Sequence, residues 1–68
     1  MKDKHHRRPK WWRGSNAKWN IATVDERKHA AFHYLFQVDG HPMTVEEIVD
    51  DLNNLWLDPT YKLNISRR

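Results

Sequence analysis

A small α+β domain is predicted: a three-stranded antiparallel sheet packed on one helix, in the order β-β-α-β, behind a disordered basic N-terminal tail. Three observations carry this expectation. Val45, Ile48, Val49, Leu52, Leu55 and Trp56 recur at steps of three and four, as on one face of a helix. The stretches "HAAFHYLFQV" and "YKLNISR" alternate apolar and polar residues, as in half-buried strands. The first 13 residues hold six Lys or Arg against Asp3 alone, a net +5, whereas the remainder holds six bases against eight acids. The division places residues 1–16 in a tail and residues 17–68 in one small domain.

The tail comes first. "KHHRRPKWWRG" has no apolar periodicity up to Lys10 and too much like charge to bury, so in isolation it should be disordered. It ends at the polar turn Gly14-Ser15-Asn16. Closely spaced cations neutralise phosphates and release counterions, and adjacent tryptophans offer flat faces to unpaired bases. Lys4, Arg7, Arg8, Lys10, Trp11, Trp12 and Arg13 are therefore the candidate nucleic-acid-binding residues. Two other readings compete: Trp11 and Trp12 fold back on the sheet, or the tail meets an anionic membrane surface. Without an amphipathic helix in the tail, the membrane reading is set aside.

The strands and helix come next. "WNIATV" is the first strand, with Trp19 and Ile21 inward, and "DERK" turns the chain into a second strand over "HAAFHYLFQV". The rival reading makes residues 24–38 a helix, capped by Thr23 and Glu26 and closed by Gly40, so that the chain is helix-turn-helix or winged-helix-like. The strand is preferred because aromatics favour strands and three aromatics in five positions would make a helix greasy almost all round. A recognition helix should also come after the second helix, yet the chain there alternates like a strand. The helix itself opens at Thr44, with Glu47 three residues on completing a capping box. It stops near Trp56 or Leu57, ahead of Pro59.

Other chemistry is sparse. The chain has no cysteine, so neither a disulfide nor a thiolate zinc site is possible, which fits a reducing, cytoplasmic setting. No apolar run suits a membrane span or a secretion signal. On a strand, His29 and His33 would share the polar face, and two ligands are too few for a structural zinc site, so no metal or other cofactor is expected. His5 and His6 would add positive charge to the tail as pH falls through about 6.5. No phosphate-cradling glycine loop or nucleophile–base spacing is present, and no catalytic residue or enzyme activity is expected. Glu46, Glu47, Asp50 and Asp51 form an acidic helix face that could dock on a basic protein surface.

These features describe a non-enzymatic binding protein that docks on nucleic acid or a nucleoprotein assembly through its tail. In element order, acid-rich helix and tryptophan-led first strand, "AKWNIATV", "HAAFHYLFQV", "TVEEIVDDLNNLW" and "YKLNISRR" resemble the small podovirus early proteins that inhibit bacterial RNA polymerase. That resemblance covers residues 17–68 and implies a second reading, an inhibitor binding a host nucleic-acid-processing enzyme through the acidic helix face or a sheet edge. A helix-turn-helix DNA-binding regulator is the third.

Overall fold

The computed structural model describes residues 1–68. Its architecture is α+β, with two helices and two antiparallel sheets of two strands each. The three-stranded sheet expected from the alternation does not form.

The basic stretch is not a disordered tail. Lys2–His6 form strand β1, which pairs antiparallel with β2 (Ile21–Asp25), His5 standing opposite Ala22 and Lys2 opposite Asp25. Alternation within the charged run explains this: Lys2 and Lys4 are exposed, whereas Asp3 and His5 are half-buried. β2 was legible as "WNIATV", but Trp19 precedes the strand in a 3₁₀ turn (Lys18–Asn20) and is 59% exposed rather than inward.

"HAAFHYLFQV", expected as a strand, is mostly helix α1 (Glu26–Leu35). Asp25, not Thr23, is its N-cap: the carboxylate accepts from the Arg27 and Lys28 N–H groups at 3.0 and 3.2 Å. His29, Phe32, His33 and Phe36 lie three and four residues apart and share one half-buried face. Tyr34, which the alternation puts on the apolar side with Phe32 and Phe36, is 86% exposed. The apparent greasiness of the segment is thus resolved by leaving the other side in solvent.

A short hairpin comes after α1, β3 (Gln37–Val38) against β4 (His41–Pro42). Asp39 and Gly40 turn it with φ of 49° and 81°, the left-handed pair that an Asp-Gly hairpin turn uses. From Ala17 onward the order is therefore strand, helix, hairpin, helix, not the strand–strand–helix–strand order behind the podovirus resemblance.

Helix α2 (Val45–Asp51) starts where expected. Thr44 Oγ1 accepts from Glu47 N–H at 3.2 Å, and the Glu47 carboxylate accepts from Thr44 N–H at 2.9 Å. These hydrogen bonds hold the Glu47 carboxyl below the usual glutamate range. Its contribution to the cap is present above the ordinary glutamate pKa and lost as pH falls through the depressed one. Thr44→Ala should cost on the order of 1 kcal/mol, read as a lower midpoint in chemical denaturation.

The chain then widens into a π-turn (Leu52–Trp56) closed by Leu57 N–H on the Leu52 carbonyl at 2.8 Å. The extra residue in that turn rotates the end of the helical run. Leu55 and Trp56 accordingly leave the apolar stripe and are exposed, while Ile48, Val49 and Leu52 stay half-buried. The helical run ends at Trp56, as Pro59 dictates.

Residues 61–68 form no strand and no helix. The Leu63 N–H and C=O, which a strand neighbour would satisfy, are both met by the Asn53 side-chain amide at 2.9 and 3.0 Å. The helix-turn-helix alternative finds its two helices here, but not a third to enter a groove.

No apolar residue is fully buried; Asn20 alone is. The accessible surface is 6182 Å², against about 4,600 Å² for a compact monomer of this mass. The segment joining β1 to β2 is held by polar contacts around Asn20. Arg7 N–H donates to its carbonyl (2.7 Å) and Arg8 N–H to its Oδ1 (2.6 Å), while its Nδ2 donates to the carbonyls of Arg8 and Ser15 at 3.0 and 2.8 Å. No helix is long and apolar enough to cross a membrane.

Candidate nucleic-acid interface and histidine cluster

Two groups of side chains stand out on this frame. The first is the basic, aromatic loop between β1 and β2. Pro9 directs the chain into a 3₁₀ turn over Lys10–Trp12, and Arg13 leaves it in the left-handed region at φ 64°. Each of Lys4, Arg7, Arg8, Lys10 and Arg13 is exposed, and none of them forms an ion pair.

The two tail tryptophans take different roles. Trp12 is anchored, its indole N–H donating to the Pro42 carbonyl at 3.1 Å and its ring edge-on to His41. Trp11 stacks on the His41 ring at 5.3 Å with planes 7° apart, and remains 62% exposed. A third indole joins them: the Arg8 guanidinium lies over the Trp19 ring, 5.6 Å from its centre, and Arg7 reaches the Trp19 carbonyl at 3.5 Å. Trp19, a core residue by its sequence pattern, belongs to this surface.

Between the loop, α1 and α2 lies a cleft of about 430 Å³. Arg7, Arg8 and Arg67 line it together with Trp12, Phe32 and Phe36. Arg67, from the far end of the chain, was not among the sequence-predicted residues, because nothing in its local pattern ties it to the loop.

The acidic face of α2 is less available than its composition suggests. Glu46 and Asp50 are exposed, Asp51 is half-buried, and Glu47 is engaged in the cap. Glu46 in fact lines the arginine-bordered cleft.

The second group is a histidine cluster that sequence reasoning missed. His29 and His33 stand one turn apart on α1, their Nε2 atoms 2.9 Å from each other. Pairing of β1 with β2 brings His5 against them, its ring edge-on to those of His29 and Phe32 at 5.1 Å. One ring nitrogen from each histidine lies within 4.8 Å of the other two. Asp3, two residues before His5 on the same face of β1, holds His29 Nδ1 at 3.1 Å.

His5 Nδ1 is inaccessible to solvent and has no hydrogen-bond partner. Burial, and after it the neighbouring imidazoles of His29, His33 and His6, lower the His5 pKa; burial and then His29 lower that of His33. Both effects favour neutral rings at pH 7. The only sequence signal is the His29–His33 spacing, which fits one face of a strand as well as one face of a helix.

Comparison with known protein families, with curated proteins and with solved structures finds no match to this chain.

Proposed function

We propose that this protein binds single-stranded nucleic acid, alone or within a nucleoprotein assembly, through the loop between β1 and β2. The observation that supports this reading best is the cleft bordered by Arg7, Arg8 and Arg67 over Trp12, Phe32 and Phe36, beside exposed Trp11 and Trp19. Guanidinium groups suit phosphates, and exposed indoles suit unpaired bases. Duplex readout fits less well, since no regular element in this region is shaped to lie along a major groove.

The test is salt-dependent binding to a fluorescent single-stranded oligonucleotide. With Lys4, Arg7, Arg8, Lys10 and Arg13 engaged, log K against log salt should fall with a slope near −3.5, at about −0.7 for each of five phosphate contacts. Replacing Arg7, Lys10 and Arg13 together by Gln should flatten the slope by about 2. Trp11→Ala should instead weaken binding by roughly 1–3 kcal/mol with the slope unchanged, because a ring acts by contact and not through counterions. Deleting the basic stretch is a poorer test, since it also removes β1. Salt-independent binding, or a triple variant that binds as tightly as the parent, would exclude the loop as the interface. Loss of affinity on charge reversal at Glu46 and Asp50, with the loop variants unaffected, would favour the protein-inhibitor reading.

A further inference from the structure

We infer that His5, His29 and His33 form a binding site for one divalent transition-metal ion of the zinc class, with Asp3 as the positioning residue. This inference does not depend on the nucleic-acid reading. Three observations converge on it.

Geometry is the first. A tetrahedral zinc ion with Zn–N bonds of about 2.0–2.1 Å sets its ligand nitrogens roughly 3.3 Å apart. The three imidazoles already offer nitrogens within 4.8 Å of one another, and the His29–His33 pair stands at 2.9 Å. The remaining separations need close by no more than about 1.5 Å to meet one ion.

The second is the Asp3–His29 contact at 3.1 Å. A carboxylate on one ring nitrogen fixes the proton there and leaves the Nε2 lone pair for a metal. Asp3 and His5 alternate on one face of β1, so one strand supplies both a ligand and the group that orients another ligand. Meanwhile His5 has a buried Nδ1 with nothing to bind. Such an orphan polar atom costs stability in a protein that has little to spare, and a cation among the rings gives this imidazole the polar partner it lacks.

The third is the fold's need for a cross-link. The chain has no cysteine and no fully buried apolar side chain. Domains of this size commonly rely on a disulfide or a metal. An ion held by His5 on β1 and by His29 and His33 on α1 ties the N-terminal strand to the helix across the molecule. Imidazole donors select zinc, copper or nickel over magnesium and calcium, and three protein ligands leave a fourth position open to water.

The full-length protein, prepared without a polyhistidine tag and stripped with a chelator, should be titrated with Zn²⁺ by calorimetry. One saturable site per chain is expected. Replacing any one of the three histidines by Gln should weaken Zn²⁺ binding by 100-fold or more on the order-of-magnitude scale of losing one of three ligands. Asp3→Asn should weaken it by about 10–100-fold, and His6→Gln should leave it unchanged. Adding Co²⁺ instead should produce the intense visible bands of a tetrahedral site.

Because a cluster variant could fail to fold, ring-nitrogen NMR on the unmutated protein supplies an independent measurement. Zn²⁺ should shift the imidazole resonances of His5, His29 and His33, and not those of His6 and His41. No saturable binding to the unmutated chain overturns the proposal. So do shifts confined to His6 or His41, or a His5→Gln variant that binds as tightly as the parent.

Discussion

Asn20→Ala is expected to unfold the N-terminal half of the protein. The Asn20 side chain makes three hydrogen bonds that close the segment between β1 and β2 on itself: one from Arg8 N–H, and one each to the carbonyls of Arg8 and Ser15. Truncation leaves all three backbone groups without a partner at the one fully buried position of the chain. An unmet buried polar group costs about 1–3 kcal/mol. Arg8 and Ser15 are themselves exposed, so water recovers part of that loss, leaving a total of roughly 3 kcal/mol.

Such a loss is comparable to the whole stability that a core of this size supplies. The readout is amide exchange. Protection across Lys2–His6 and Ile21–Asp25 should collapse first, since α2 takes no part in the Asn20 side-chain hydrogen bonds. Asn20→Asp makes a sharper test, since it retains the acceptor for Arg8 N–H but sets a carboxylate against two carbonyl oxygens. It should behave nearly as badly as Ala. A near-native Asn20→Ala would mean that the segment is held by something other than this amide.

Gly14→Ala is expected to be of similar severity for a different reason. A Cβ at residue 14 would fall inside the carbonyl oxygen of Arg8 and 2.8 Å from that of Pro9. Both obstacles are backbone, so no side-chain rotation relieves the overlap. Pro9 is also the acceptor for the N–H groups of Trp12 and Gly14, each at 2.9 Å. Opening the turn to admit a methyl breaks these bonds and displaces both tryptophans. The cost should reach or exceed the roughly 1–3 kcal/mol typical of overpacking. Denaturation midpoints measure that cost. Tryptophan fluorescence reports the displacement, since Trp12 would lose its hydrogen bond to Pro42 and Trp11 its stack on His41. Gly40→Ala is a useful contrast, because an added Cβ there meets nothing within 4 Å and only the φ of 81° is strained.

The polar hub, the close-packed turn and the histidine cluster all draw on residues 1–16, the stretch that reads from sequence as a tail. A basic stretch that pairs as a strand also presents its cations differently from a free one. Arg7 and Arg8 are fixed beside Trp19, Lys10 opens the 3₁₀ turn and Arg13 closes it. The entropy of ordering those residues has already been spent on folding, which favours affinity in any complex that uses them.

By itself the sequence determined what depends on near neighbours. The Thr44–Glu47 cap, the helix behind it, the stop before Pro59 and the later part of the strand read as "WNIATV" were legible, because capping, apolar spacing and proline geometry act within a few residues. The α+β class was legible as well. Where two periods fitted one segment, only tertiary structure decided. Phe32, Tyr34 and Phe36 satisfy a period of two, His29, Phe32, His33 and Phe36 satisfy a helix, and the outcome was set by which face β1 and β2 could cover. The alternation of Lys2 and Lys4 against Asp3 and His5 had no meaning until β2 stood beside it. Conversely, the alternation of Tyr61, Leu63 and Ile65 came to nothing, and the Asn53 amide satisfied the backbone of Leu63 in place of a neighbouring strand. The histidine cluster is the furthest from local reading. Its members come from two segments separated by the whole loop, and a metal-ligand set is defined by distances between side chains, which only strand pairing and helix packing create.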